Sequence, residues 1–227
     1  MTQRREFIRH ASLLAAGSLA APLAAAEAAP RPDDADLHAL AQGSWDMSWA
    51  TRVTGRHKMC FDAHEISEGV CLHQARSFLQ GYKDVYGLAD TDVSAVLVIR
   101  HAAVPMVMND ALWADGFFGE ENKLKDPESG EVAKRNPFIN VPAGARHALT
   151  WPDGALDTLI ARGVIVLACN LALTNYAGMI ARRRNIPRQD GLALVNDNLI
   201  PGIYKMPTGV FATCHAQQLG CGVLNAV

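Results

Sequence analysis

The sequence of 227 residues lacks the short motifs that mark most common reactions and cofactors. It contains no Gly-x-Gly-x-x-Gly and no Walker loop, which argues against nucleotide binding, and no Gly-x-Ser-x-Gly, which argues against triad hydrolysis. His-Glu-x-x-His is also missing, so zinc-protease chemistry loses support. Without a Cys-x-x-Cys or a Cys-x-x-Cys-His, neither a paired-cysteine redox centre nor covalent haem attachment is indicated.

Charged residues are few and nearly balanced, with 21 lysines and arginines against 23 aspartates and glutamates and a net charge of −2. No stripe of basic residues interleaved with aromatics occurs, so we predict no nucleic-acid partner. The basic run at residues 182–184 follows a helical pattern and is interpreted as the end of a helix, where cations offset the helix dipole. A 49% share of hydrophobic residues at this length is typical of one globular domain.

The first 26 residues have the pattern of an export signal. A start with three arginines precedes an apolar, charge-free run over residues 11–26 that ends in three alanines. The run has 16 residues and contains Gly17 and Pro22, whereas a membrane-spanning helix requires about 20 apolar residues. We therefore predict cleavage after Ala26 and no stable membrane anchor.

The pair Arg4-Arg5, followed by Phe7 and Ile8, is typical of the twin-arginine signal. This signal predicts a periplasmic protein that engages the twin-arginine export machinery during transport. Residues 27–55 follow, rich in alanine, proline and aspartate, with Trp45 and Trp49. They are interpreted as a linker or arm that packs on the domain or on a neighbouring subunit.

Strand and helix patterns alternate along residues 56–227, which we take as the domain. Residues 114–152, between the second and third predicted helices, are rich in glycine and proline and are interpreted as a long loop insertion. The alternation predicts an α/β fold, a single domain with a doubly wound, five-stranded, mainly parallel sheet. Apolar runs predict strands near residues 58–62, 93–99, 164–169, 203–206 and 221–225, and helical spacing predicts helices over 67–86, 105–113, 155–162, 171–184 and 209–219.

Two chemically active side chains stand at the ends of predicted strands, His101 after the second and Cys169 at the end of the third. Reactive groups of such sheets gather at the carboxyl ends of the strands, so both face one cleft if these strands are adjacent. An imidazole beside a cysteine can activate its sulfur, and the two groups together can hold a metal or ligate haem. Asn109 and Asp110 follow closely, and Asp110 is interpreted as the group that orients the imidazole.

The alternative interpretation of each residue is structural. Cysteine is among the residues most often buried, and a valine-rich strand can simply end in one. His101 can bond to the backbone of its own loop, and Asp110 can be a surface acid. A reactive cysteine requires partial exposure and a helix N-terminus or a cation. The helix predicted from residue 171 supplies the N-terminus. Five cysteines in all, an odd number, predict no disulfide framework, and Cys71 lies on an apolar helical stripe that packing explains.

Several segments taken together resemble the DsrE/DsrF-like family. They are the apolar run at residues 58–62, the strand at 163–170 that contains Cys169, the Pro-Thr-Gly-Val turn at 207–210 and the Gln-x-x-Gly at 217–220. A second set is similar to the exported twin-arginine branch of that family: Arg100, His101, Pro105, Asn109, Asp110, Trp113 and residues 135–138.

The resemblance implies a flavodoxin-like subunit that forms homo-oligomers, either trimers or hexamers. It also implies that the cysteine at the position of Cys169 carries a persulfide. From the residues themselves, we expect His101 to assist that cysteine and Asp110 to orient the imidazole. His101, Asn109 and Trp113 are then the expected contacts for a cofactor, whose identity the residues do not specify. An exported protein cannot reach the tRNA-thiolation machinery that cytoplasmic members serve.

Two functions therefore follow from the sequence. The first is a periplasmic DsrE-like protein that handles sulfur or thiol redox chemistry through Cys169. The alternative is a non-enzymatic module that binds haem, a metal or a small ligand in the same cleft, beneath residues 114–152. A third interpretation is an oligomeric structural protein whose cleft is empty.

Overall fold

Five strands form one sheet in the computed structural model, which describes residues 45–145 and 150–227. The signal and most of the arm predicted from the sequence lie outside the described residues. Neighbouring strands are parallel throughout, in the order β4-β3-β2-β1-β5. The α/β, flavodoxin-like class is therefore confirmed. The strands are β1 (His57–Ala63), β2 (Val93–Ile99), β3 (Ile165–Cys169), β4 (Ile203–Met206) and β5 (Gly222–Asn225).

Helices cover both faces of this sheet. The α-helices are α1 (Val70–Tyr86), α2 (Asp110–Trp113), α3 (Phe117–Glu121), α4 (Leu156–Ala161), α5 (Asn170–Arg184), α6 (Arg188–Asp197) and α7 (Gly209–Gln218). Short 3-10 helices occupy Ser48–Arg52, Ser67–Gly69, Asp90–Asp92, His101–Val107 and Pro152–Gly154.

The strand order explains how the two faces are divided. From β1 to β4 each strand lies beside the one before it, and right-handed crossovers in one direction place their helices on one face. The chain then returns past the whole sheet to β5, and α7, in that return, contacts β1, β2 and β3. Two cores result, which the alternation of β2 shows: Ala95 and Leu97 lie in the larger one, and Val96 and Val98 in the smaller.

The central strand β2 has all seven residues buried, as expected for a parallel strand covered on both sides. Its bounds are those predicted from its apolar run. Strand β5 differs, because all four of its residues are exposed and β1 is its sheet neighbour.

The prediction of one helix over residues 105–113 is wrong. The chain forms a 3-10 helix at His101–Val107 and begins α2 only at Asp110. Between them Met108 is extended and pairs with Leu199 in an isolated bridge. The side chain of Asn109 then caps α2 by accepting a hydrogen bond from the Ala111 N–H at 3.0 Å.

Helix α6 was not predicted, since its sequence is polar and contains a glycine. The glycine, Gly191, permits close packing on α5: a Cβ at this position would lie 2.5 Å from the carbonyl oxygen of Ala177. Tertiary contact with α5 therefore stabilises a helix that local propensity does not favour.

The described part of segment 114–152 packs on the larger core instead of standing apart as an open loop. It contains α3 and an antiparallel bridge between Lys125 and Val132. Its fully buried aromatic residues Phe118 and Phe138 belong to that core. The segment is thus part of the folded body wherever the structure describes it.

The described end of the arm, residues 45–55, packs on the opposite face of the sheet. Trp49 is fully buried and lies in the smaller core with Val53. The arm was predicted to pack on the domain or on a neighbouring subunit, and its described end packs on the domain. Within residues 45–145 and 150–227, no helix combines the length and apolar character needed to cross a bilayer.

Candidate functional site

A cavity of about 360 Å³ lies at the carboxyl ends of β2 and β3. Helix α5 as far as Met179 and the first turn of α7 form its other sides. This is the edge of the sheet at which parallel α/β proteins bind ligands. Because β2 and β3 are neighbours, the residues that follow them reach one wall: Arg100, His101, Ala102 and Cys169.

Cys169 is the last residue of β3 and the residue before α5. Its backbone is still extended, and it pairs with Met206 of β4. The residue is buried, with 6% of its surface exposed, yet it contributes to the cavity wall. A negative charge on its sulfur would lie at the N-terminal, positive end of the 15-residue helix α5.

Arg100 supplies a cation on the same wall. Its Nε and Nη2 donate to the two carboxylate oxygens of Asp62, at 2.7 and 3.1 Å, in a bidentate ion pair. The pKa of the guanidinium is raised from its ordinary value, chiefly by this hydrogen bond with Asp62, against the opposing effect of burial. The charges of Asp62 and of Cys169 add to the increase, so an anionic Cys169 and Arg100 attract each other.

The Arg100 side chain is positioned by the glycine that opens α7. A Cβ on Gly209 would lie 2.5 Å from both Cβ and Cδ of Arg100, so the arginine crosses at a point where a larger residue does not fit. The two residues before Gly209 fix the start of α7 in place. Thr208 caps α7 by accepting from the Phe211 N–H, and the Pro207 carbonyl accepts from Leu171 at the start of α5.

His101 lies at the mouth of the cavity and is exposed. Its φ of 52° is in the left-handed region, which non-glycine residues seldom adopt. The next residue, Ala102, donates its backbone N–H to the carbonyl of His64 after β1, at 3.0 Å. This turn places His101 among the residues that line the cavity.

The rest of the wall is mainly apolar. Leu171, Ala172 and Met179 of α5 face Val210 of α7 across the cavity. Tyr176 adds its ring, while its hydroxyl interacts with Asn122 outside the cavity. Burial, and secondarily the charge of Glu121, raises the pKa of Tyr176 to about 12, so this phenol stays neutral.

Three residues expected at the site lie elsewhere. The carboxylate of Asp110 is exposed and accepts from the Asn136 backbone N–H at 2.7 Å, so it is engaged away from the imidazole of His101. Asn109 caps α2, and Trp113 is fully buried, with Nε1 donating to the Pro105 carbonyl at 3.2 Å. The 3-10 helix that contains Pro105 carries the chain away from the end of β2, which explains their position.

The segment at 135–138 that contributed to the family resemblance has a structural role here. Asn136 is buried, and its amide donates to the carbonyls of Met106 and Met108, at 2.9 and 2.8 Å. Its side-chain oxygen accepts from the Phe138 N–H. It therefore fastens segment 114–145 to the 3-10 helix after β2.

The structure thus unites Cys169 and His101, and it adds Arg100 and Asp62, which the sequence analysis did not assign to the site. A signal for them existed. Asp62 stands near the end of β1 and Arg100 directly follows β2, so opposite charges at the ends of two adjacent parallel strands indicate an ion pair there.

The remaining cysteines have different surroundings. Burial raises the pKa of both the Cys60 and the Cys71 thiol to about 12, which keeps them neutral, and burial raises the pKa of Cys221 as well. Cys214 is exposed on α7. All five thiols are free. In the part of the chain that the structure describes, no cluster of three or more His, Cys, Asp or Glu residues has the arrangement of a metal site.

Comparison of the chain with protein-family models, with curated proteins and with solved structures gives no match. The resemblance to the DsrE/DsrF-like family accordingly stays a prediction from the sequence.

Proposed function

We propose that this protein is an exported sulfur carrier of the DsrE/DsrF-like type, in which Cys169 holds a persulfide in the periplasm. The observation that carries the proposal is the placement of Cys169. Cys169 lines a cavity that Arg100 also lines, and it stands at the start of α5. A helix N-terminus and a cation are the two features that favour a nucleophilic thiolate.

The proposed step is a sulfur exchange without net oxidation. The Cys169 thiolate attacks the terminal sulfur of a donor persulfide, R–S–SH, and forms a new S–S bond to it. The S–S bond of the donor breaks, and its electron pair leaves with the donor as the thiolate R–S⁻. The proton stays on the transferred sulfur, so Cys169–S–SH and R–S⁻ are the products.

Two neighbours have defined roles in this step. Arg100, held by Asp62, stabilises negative charge on the attacking sulfur and on the persulfide. His101 at the cavity mouth can take the proton when Cys169 begins as a thiol and can return it when sulfur is passed on. Asp110, Asn109 and Trp113 have no part in the proposed step.

The test is the dependence of bound sulfur on Cys169. Protein incubated with a persulfide donor and freed of excess reagent should release sulfur to cyanide. Cys169→Ser should abolish this release, whereas Cys214→Ser, which removes the exposed cysteine, should retain it. Equal release from both variants would contradict the proposal, since sulfur would then be bound elsewhere.

The assembly and location follow from the same proposal. The twin-arginine pattern at Arg4-Arg5 supports export, and the resemblance supports a homo-oligomer, a trimer or a hexamer. Val210 and Phe211 at the start of α7 are 63% and 41% exposed, an apolar surface that association would cover. Light scattering on the mature protein gives the subunit number directly.

Ligand binding without chemistry is the second candidate, favoured by the apolar wall formed by Leu171, Met179 and Val210. A haem, a metal or another small ligand that co-purifies from the periplasm would support it. Unlike sulfur transfer, such binding should survive Cys169→Ser if the wall alone holds the ligand.

A further inference from the structure

The cavity has one polar end and a larger apolar remainder. Cys169, Arg100 and His101 form the polar end, and the apolar wall described above faces them. Thr208 and Asn175 also contribute polar side chains to the wall. The Thr208 oxygen already accepts the Phe211 N–H at 3.1 Å, and Asn175 is exposed. A bound molecule therefore meets polar groups mainly around the sulfur.

The charge at the polar end is already balanced. Arg100 is the one arginine or lysine among the described residues that line this cavity, and Asp62 pairs with it by accepting from its Nε and Nη2. A small dianion such as thiosulfate would bring two negative charges to a wall whose one guanidinium already has its charge balanced by Asp62. Burying uncompensated charge is strongly unfavourable, so the cavity disfavours such a donor.

Access to the sulfur limits the donor further. Cys169 is 6% exposed, so the sulfur donor must enter the cavity to touch it. The convex surface of a folded protein cannot do this. A volume of about 360 Å³ lies at the low end of small-molecule sites, which accommodates one small organic molecule.

We infer that the sulfur donor of this site is a low-molecular-weight organic hydropersulfide with an apolar alkyl or aromatic group. The inference rests on the proposed function and specifies its substrate class. The apolar group packs against Leu171, Ala172, Met179 and Val210, while the terminal sulfur points at Cys169. The reaction is the exchange given above: the donor S–S bond breaks, the apolar thiolate leaves, and Cys169 gains the sulfur.

The experiment compares two donors at two cysteines of one protein. Benzyl hydropersulfide, released in solution from an acylated precursor, is compared with thiosulfate, from which sulfite would leave. Peptide mass spectrometry follows the initial rate at which Cys169 and Cys214 each gain one sulfur atom. At Cys214, which is exposed, the rate with benzyl hydropersulfide divided by the rate with thiosulfate measures the intrinsic reactivity of the two donors. The same ratio at Cys169, divided by that reference, measures the selectivity of the cavity.

We expect this selectivity to favour the benzyl donor by roughly tenfold or more, the discrimination that apolar pockets provide. Ala172→Leu, which extends into the cavity, should reduce benzyl loading of Cys169 about tenfold. Ala161→Leu, on the exposed side of α4, is the matched control and should change nothing. Leu171→Ser tests the wall at a 40% exposed position where folding is not at risk, and it should slow benzyl loading alone.

The outcomes separate the two proposals. A selectivity near one, or one that favours thiosulfate, overturns the substrate class and leaves the sulfur-carrier function standing. The substrate class is also overturned if neither Ala172→Leu nor Leu171→Ser alters the rate of benzyl loading. If Cys169 gains sulfur from no donor while Cys214 does, the proposed function fails, and the substrate class fails with it.

Discussion

At the scale of single residues, the position of the Arg100 side chain depends on two neighbours. Asp62 holds its guanidinium in a bidentate ion pair, and Gly209 leaves the space through which its methylene groups pass. The charge beside Cys169 is therefore set by residues from three separate parts of the chain.

Gly209→Ala should destabilise the protein by about 1–3 kcal/mol, because the added methyl overlaps Arg100 and forces it to shift. Urea denaturation measures this as a lower midpoint. Gly81→Ala is the matched control: it lies within α1 with no atom within 4 Å of the added Cβ. This variant should be stabilised by about 0.5–1 kcal/mol, as expected for alanine in a helix. A neutral effect of Gly209→Ala would show that Arg100 is not confined there.

Arg100→Gln should slow the alkylation of Cys169 by iodoacetamide by about tenfold at neutral pH. The variant removes the cation near the sulfur and leaves the Asp62 carboxylate unpaired, and both changes disfavour a thiolate. Peptide mapping after timed alkylation gives the rate for Cys169. Arg183→Gln, on α5 but paired with Glu120 outside the cavity, should leave that rate unchanged. An unaltered rate in Arg100→Gln would remove Arg100 from the proposed step.

At the scale of helices and strands, the sequence predicted best where one local signal decides the structure. The continuous apolar run of β2 appears as predicted, since burial on both faces is read locally. The α6 helix and the break at Met108 depend on partners far along the chain, Ala177 and Leu199. Local patterns contain no information about such contacts.

Asp126 organises a turn within segment 114–145. The pKa of Asp126 is lowered to about 2, chiefly by the hydrogen bond from the Ser129 N–H and then by the Arg135 side chain. The stability it contributes is complete above the ordinary carboxyl pKa of about 4 and is lost as the pH falls from there to about 2. Asp126→Asn should lower the unfolding free energy by about 1 kcal/mol at neutral pH.

Urea denaturation at neutral pH and near pH 3 checks this. The variant should approach the wild type as the pH falls, because the wild-type carboxylate is then losing its charge. Glu131→Gln, at an exposed acid of the same segment, should change neutral-pH stability by less than about 0.5 kcal/mol. A constant difference between Asp126→Asn and the wild type at both pH values would contradict the assignment.

At the scale of the whole molecule, the strand order decides which residues meet. The alternation of strands and helices predicts a parallel sheet, but it leaves the order open, because many orders satisfy the same pattern. The meeting of His101 and Cys169 required β2 and β3 to be neighbours, and the order β4-β3-β2-β1-β5 makes them so. Asp110 was expected there on the basis of closeness in sequence, and the turn at Pro105 takes it elsewhere.

The predicted twin-arginine signal determines, if it is correct, where the whole chain is located. Replacing Arg4 and Arg5 together by lysine should retain the precursor in the cytoplasm, because the paired arginines are the feature that the export route recognises. Fractionation and N-terminal sequencing check this, and the exported form should begin at Glu27. Arg9→Lys keeps the charge outside the pair and should be exported normally. Normal export of the double variant would exclude the twin-arginine route.

The left-handed backbone of His101 has a consequence for how the molecule balances folding against activity. With φ at 52°, a side chain is held in a conformation that costs on the order of 1 kcal/mol and that glycine adopts freely. A His101→Gly protein should therefore melt at a higher temperature than the wild type while lacking the imidazole at the cavity. The wild-type backbone is thus strained at His101, and an imidazole instead of a hydrogen lines the cavity there.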